Sequence, residues 1–209
     1  LSITGLHMHI GSGTDLEHLR RLAGAMVKQI KALRRDVRAI SCGGGLPIPY
    51  RRGEGRIDVD AYFEVWDEAR GEIEQLLGHA ISLEIEPGRF LAGESGVLVA
   101  RVRAKKRMAD NRFILVDAGF DNLVRPAMYG SYHEISIVKP SGEVVGGPTE
   151  PTVVAGPLCE SGDVFTQEEG GLVVPRPLPE ARVGDLVVLH DAGAYAASMA
   201  SNYNTRPLA

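Results

Sequence analysis

Val37-Arg-Ala-Ile-Ser-Cys42 runs directly into Gly43-Gly44-Gly45, and this junction organises the first half of the chain. A short apolar segment of this kind suits a strand, and glycines just past its end suit a turn with positive φ. Upstream, Leu16, Leu19, Leu22, Met26, Ile30 and Leu33 recur at three- and four-residue steps, which predicts a helix ending near Arg34-Arg35-Asp36. Thr14-x-x-Glu17 has capping-box spacing for its start. Before it, Ser2 to Ile10 reads as another short strand. Downstream, a Pro-rich loop reaches about Arg56 and gives way to a second helix with Tyr62, Trp66, Ala69, Ile73 and Leu77 on one face. Gly78 is a stop for that helix and Gly71 an interior weakness. Ile81 to Ile85 is a third strand, ending in Glu86-Pro87-Gly88-Arg89.

Strand, helix, strand, helix, strand at these lengths predicts parallel strands with crossover helices, in a doubly wound sheet or part of a β/α barrel. Function gathers at the C-terminal ends of such strands, where His9, Gly43 to Gly45 and Glu86 to Arg89 all fall. From about Val97 the pattern changes to short strands between Gly and Pro turns: Val97 to Val102, Arg112 to Asp117, Glu134 to Val138, Thr152 to Ala155 and Asp185 to His190. The fold class is therefore α/β plus all-β, with the change between Arg89 and Val97 and domains over 1–95 and 96–209.

The composition narrows the function. Lys and Arg total 23 against 27 Asp and Glu, a formal charge of −4 with no basic tail, which argues against nucleic acid. No apolar run approaches the roughly 18 residues of a membrane helix, and no signal segment is read at the start, so a cytoplasmic protein is expected. Two cysteines, Cys42 and Cys159, are too few for a disulfide scaffold and are read as reduced thiols. The chain opens at Leu1 in what reads as the middle of a strand, so a fragment of a longer protein is expected.

Each motif has a plain reading beside a chemical one. Three glycines after a strand offer unobstructed N–H groups to a phosphate, but a tight turn explains them as well. His7 and His9 share a strand face, which suggests a metal pair, yet no Cys, Asp or third His follows at ligand spacing, so no metal is assigned. Glu86 and Arg89 suit a surface ion pair, or a carboxylate and a guanidinium facing different parts of an anionic aromatic ligand. Arg101 to Arg107 alternates charge with Val and Ala and reads as a solvated strand face. In Cys159-Glu160-Ser161-Gly162-Asp163 the flanking acids favour a thiol proton donor over a thiolate nucleophile.

Taken in order, Gly5-Leu-His-Met-His-Ile-Gly-Ser12, the Gly43 triplet, Glu86-Pro-Gly-Arg89, Val116-Asp-Ala-Gly119, Arg125-Pro-Ala-Met-Tyr129, Gly156-Pro-Leu-Cys-Glu-Ser-Gly-Asp163 and Gly193-Ala-Tyr195 resemble the diaminopimelate decarboxylase family over nearly the whole chain. The resemblance implies the C-terminal part of a TIM-like β/α barrel followed by a β-barrel or sandwich domain, with pyridoxal 5'-phosphate (PLP) at the barrel mouth. It implies that His9 stacks on the pyridine ring, that Ser12 and Gly43 to Gly45 cradle the phosphate, and that Glu86 pairs with the ring nitrogen. Pro87, Gly88 and Arg89 complete the cofactor site. Arg89, Arg125, Tyr129 and Glu160 match substrate-binding positions, Cys159 the acid that protonates Cα, and Tyr195 a residue touching cofactor and substrate. The implied reaction is decarboxylation of meso-2,6-diaminopimelate to L-lysine, in a homodimer whose Cys-Glu loop enters the neighbouring subunit's site.

In the family, the lysine that bonds the cofactor lies upstream of Leu1, and Lys28, Lys31, Lys105, Lys106 and Lys139 match none of it. The 209-residue piece alone is expected to be inactive. A related decarboxylase of ornithine, arginine or carboxynorspermidine, and a noncatalytic relative that kept the fold, remain as alternatives. All these readings require His9, the glycine triplet and Glu86 to meet around one small molecule.

Overall fold

A computed structural model describes residues 3–9, 11–13, 15–33 and 36–209. The chain forms two compact units, one from Leu1–Pro49 with Gly55–Leu91 and the other from Tyr50–Glu54 with Ala92–Ala209. The inclusion of Tyr50–Glu54 in the second unit has no signature in the sequence.

In the first unit, β1 (Gly5–His7), β2 (Ala39–Ser41) and β3 (Ser82–Glu84) form a parallel sheet in chain order, with Leu6 opposite Ile40 and Ile40 opposite Leu83. The crossovers are α1 (Leu16–Leu33) and α2 (Val59–Leu77). Leu19, Met26 and Ile30 of α1 and Tyr62, Trp66, Ala69 and Ile73 of α2 bury into one cluster with Ile40, Leu6 and Leu83. Both helices therefore cover the same face of the sheet. On the other face Gly5, His7, Ser82 and Glu84 are exposed.

The caps explain where the helices begin and end. Thr14, expected to cap α1, lies outside the described residues, and the Asp15 carboxylate accepts the His18 N–H at 2.7 Å. Ser2, Ile10 and the Arg34-Arg35 pair also lie outside them. Asp58 caps α2 by accepting from Asp60 and Ala61 N–H, both at 3.0 Å. At its other end Gly78 takes φ +77° and donates to the Glu74 carbonyl, the predicted stop.

In the second unit, β4 (Leu98–Met108), β5 (Asn111–Val116), β6 (Ile135–Val138), β7 (Thr149–Ala155), β10 (Arg176–Pro179) and β11 (Leu186–Leu189) form a mixed sheet in the order β10-β7-β5-β4-β11-β6. The β5–β7 pairing is parallel and the rest antiparallel. The two ends, β10 and β6, come within 8 Å of each other between Cα atoms, so the sheet is nearly closed. Two of the four residues of β10, Pro177 and Pro179, have no N–H to offer a further strand, which suits an edge. A separate ribbon pairs β8 (Gln167–Glu168) with β9 (Leu172–Val173), and α4 (Arg125–Tyr129) follows β5.

The five strands read from the sequence correspond to β4, β5, β6, β7 and β11, although β4 runs on to Met108. Its Arg101, Arg103, Lys105, Lys106 and Arg107 are exposed while Val102 is buried, as the alternation predicts. Val102, Ile114, Val116, Ile137, Val154, Leu178, Val187 and Leu189 fill the interior. Among the described residues no helix is long and apolar enough to cross a membrane.

Candidate active site

The parallel ladder of the first unit continues past the ends of its strands. Met8 N–H donates to Ser41 O at 3.0 Å, Cys42 N–H to Glu84 O at 2.9 Å and Glu86 N–H to Gly43 O at 2.9 Å. His9, Gly43 to Gly45 and Glu86 are thereby held side by side. A Cβ built on Gly44 would lie 2.7 Å from Glu86 O and 3.3 Å from His9 Cε1, and one on Gly45 only 2.1 Å from Gly11 O. The glycines are needed because three loops cross there at backbone distance.

Their N–H groups are only partly free for a ligand. Gly43 donates to Ser41 Oγ at 3.3 Å and Gly44 to His9 Nδ1 at 2.9 Å. The second bond requires a lone pair on His9 Nδ1 and fixes the edge of the imidazole against the glycine loop. Two of the three amides expected to face a phosphate are thus engaged within the protein. Ser12 and Arg89 stand together instead, with Arg89 Nη2 3.4 Å from Ser12 Oγ. Gly88 and Arg89 begin the short helix α3 (Gly88–Ala92), which follows Pro87. Glu86 Oε1 lies 3.1 Å from His7 Nε2, so the two histidines of β1 and its exit do different jobs. Cys42 is buried, and desolvation pushes its thiol up to about 12, which suits a packing role.

In the second unit the central group is Arg125, 6% exposed, in the first turn of α4. Its Nη1 donates to Tyr50 Oη at 2.9 Å and to His133 Nε2 at 3.3 Å. The His133 ring can accept there because its Nδ1–H donates to His190 O at 2.8 Å, which fixes the tautomer. Burial pushes the imidazole down to about 4, so it is neutral beside the guanidinium. The Tyr50 ring lies 5.0 Å and the Tyr195 ring 5.5 Å from the Arg125 Cζ. Among the described residues no carboxylate lies within ion-pair distance of Arg125.

Tyr195 takes φ +65°, a strained value for a side chain of that size. It follows Gly193, where a Cβ would fall 1.9 Å from Ala92 O. Tyr129, at the end of α4, is 55% exposed.

The Cys159 loop is pinned from behind by Asp163. This buried carboxylate accepts Leu158 N–H and Phe120 N–H, both at 2.8 Å. Desolvation raises the Asp163 pKa against those bonds. Cys159 and Glu160 are exposed at the tip. Glu160 is held below the usual carboxylate range by the Gly162 N–H, then by the Ser161 and Tyr203 hydroxyls.

Sequence reasoning missed Tyr50, His133 and Tyr203. Tyr50 sits in the Pro-rich loop and His133 just before β6, and no spacing links either to Arg125. His7 was noted only as a metal candidate, and its contact with Glu86 gives it another role.

A model of the pyridoxal-dependent decarboxylase C-terminal sheet domain matches residues 18–193, and the chain belongs to that family. Among its relatives is the diaminopimelate decarboxylase of Escherichia coli K12, 57% identical over 209 residues, all of this chain and 50% of that protein. The diaminopimelate decarboxylase of Streptomyces coelicolor is 59% identical over 208 residues, covering 100% of this chain and 47% of its own length. A crystal structure of diaminopimelate decarboxylase superposes with a TM-score of 0.96 at 57% identity, covering 99% of this chain and 49% of that one. The chain thus spans about half the length of the relatives it matches.

Proposed function

We propose that the intact protein is a cytoplasmic, PLP-dependent carboxy-lyase that converts meso-2,6-diaminopimelate to L-lysine and CO2, the last step of lysine biosynthesis. The observation that carries this reading is Arg125, a buried cation whose hydrogen-bond partners, Tyr50 and His133, are both neutral. Such a charge is unfavourable unless a ligand brings the opposite one. The distal end of diaminopimelate carries both a carboxylate and an ammonium, which suits Arg125 and Tyr129 together with Glu160. The distal ends of ornithine and arginine are purely cationic and leave Arg125 unanswered.

The first unit suits PLP on geometric grounds. His9 and Glu86 follow the two outer strands, β1 and β3, and meet Gly44 after the strand between them, His9 through its ring and Glu86 through its backbone, within reach of one ring-sized ligand. Ser12 and Arg89 offer a hydroxyl and a guanidinium to a phosphate, and Gly43 to Gly45 let the loops that carry these groups close together. When bound, PLP supplies an electron sink for the bonding pair left at Cα as CO2 departs. Glu86 holds the proton on the ring nitrogen, His9 sets the plane of the ring, and the turn Glu86-Pro87-Gly88-Arg89 carries the carboxylate and guanidinium. Cys159 gives its thiol proton to Cα, and Tyr195 contacts both cofactor and substrate. Residues 1–95 act as an arc of a β/α barrel, which accounts for both helices covering one face where a doubly wound sheet would use two. Residues 96–209 supply the sheet domain, whose Cys159-Glu160 loop serves the other subunit of a homodimer.

The test is CO2 release by the intact protein, with its upstream segment, from meso-2,6-diaminopimelate, ornithine and arginine. The expected preference is for diaminopimelate, and Arg125→Met lowers kcat/KM by about 100-fold, the scale for removing one partner of a buried charge pair. Equal turnover of ornithine, or an Arg125→Met enzyme with undiminished kcat/KM, would reject the assignment.

A further inference from the structure

We infer that Tyr203 is a positioning residue for Glu160, and that residues 201–206 form a clasp that fixes the tip of the Cys159 loop. This rests on the reading of Glu160 as the group that meets the substrate's ammonium. Both oxygens of this exposed carboxylate are occupied. Oε1 accepts Gly162 N–H and Ser161 Oγ–H, each at 3.2 Å, from within the loop itself. Oε2 accepts the Tyr203 hydroxyl at 3.2 Å, from 43 residues away. The first two bonds move with the loop, so Tyr203 alone of these donors can set the direction of the carboxylate relative to the rest of the unit.

Tyr203 is itself anchored. Its ring meets Phe120 edge-on, with centroids 4.8 Å apart. On one side of it Ser201 N–H donates to Asp121 O at 2.9 Å. On the other, Arg206 Nε reaches Asp121 Oδ2 at 3.3 Å and its Nη2 donates to Asp117 O at 2.9 Å. Asp121 is fully buried, and its Oδ1 has no hydrogen-bond partner among the described residues, so Arg206 is the cation that makes its burial tolerable. The same turn fixes the other end of the Cys159 loop, since Phe120 N–H donates to Asp163. A Cβ on Gly119 would lie 2.8 Å from both Asp163 oxygens and 2.9 Å from Asp121 Oδ1, so both carboxylates crowd against this one glycine. Between the anchors, Asn204 and Thr205 take φ +53° and +58°, values a β-branched residue adopts only when its surroundings impose them.

Tyr203→Phe keeps the ring on Phe120 and removes only the hydroxyl. In the intact protein, the expected result is a rise of about tenfold in KM for diaminopimelate with a fall in kcat of no more than about threefold, on the scale of one hydrogen bond to a charged group. In a Glu160→Gln background the same substitution should add almost nothing. A second readout needs neither substrate nor cofactor: the pH dependence of labelling of the Cys159 peptide by 2,2'-dipyridyl disulfide, which stays reactive towards thiols in acid, followed by mass spectrometry. The ionisation of Glu160 beside the thiol should give an acid inflection that Glu160→Gln abolishes and Tyr203→Phe moves to higher pH. An inflection left in place by Tyr203→Phe in a folded protein overturns the assignment, as does an undiminished Tyr203→Phe effect without Glu160. If diaminopimelate is not a substrate at all, the proposed activity fails, and the labelling profile still decides the role of Tyr203.

Discussion

The two units hold their candidate groups by different means. In the first, His9, Glu86 and the Gly43 triplet are placed by backbone: the ladder runs past the strands, and the side chains His7 and Glu86 at its mouth are each more than half exposed. In the second, Arg125, His133, Asp121 and Asp163 are buried and held by side-chain hydrogen bonds. A backbone scaffold tolerates changes in the side chains it displays but not in the glycines that let it close. A side-chain scaffold stores charge away from water and so responds to pH.

The largest effect expected from this contrast is at Gly45. An alanine there would sit at φ +103° with its Cβ 2.1 Å from Gly11 O, and backbone cannot rotate aside as a side chain can. Adding a left-handed strain to an overpacked crossing predicts a loss of about 4 kcal/mol for Gly45→Ala in urea denaturation of the intact protein. A loss below about 1 kcal/mol would break the comparison, because the strand ends would then not be held by this crossing. The next effect belongs to the second unit. His133 titrates at 6.5 when unfolded and about 4 when folded, so between those values the unfolded chain carries the extra proton and stability falls as pH falls. Over that window the loss should be on the order of 3 kcal/mol. His133→Gln should remove that part of the slope, and identical slopes for the two proteins would mean that the ring is not buried neutral.

What the sequence revealed divides along the same line. Period and punctuation are local, so the buried faces of α1 and α2, the Gly78 stop and the strand ends carrying His9, Gly43 and Glu86 were all legible. The edge strand β10 was not, because Pro177 and Pro179 argue against a strand except at an edge, and being an edge is a property of the whole sheet. Tyr50 lies 75 residues from Arg125 and Tyr203 43 from Glu160, distances at which no periodicity connects residues, and His133, only 8 from Arg125, lies beyond the end of α4. The partners of the three glycine amides were hidden for a related reason. Ser41 and His9 take two of them, and only the folded register brings His9 back to Gly44.

The smallest expected effect sharpens the comparison most, because it repeats the Gly45 substitution in the same unit with the opposite sign. Gly71 lies inside α2, and a Cβ there meets nothing within 4 Å. It provides neither a turn nor a close crossing, and its freedom in the unfolded chain is a pure loss on folding. Gly71→Ala should therefore stabilise the intact protein by about 0.5–1 kcal/mol, seen as a higher urea midpoint at unchanged slope. Were Gly71→Ala as damaging as Gly45→Ala, the harm at Gly45 would reflect a general intolerance of the first unit to added bulk, and the crossing of its strand ends would lose its special place.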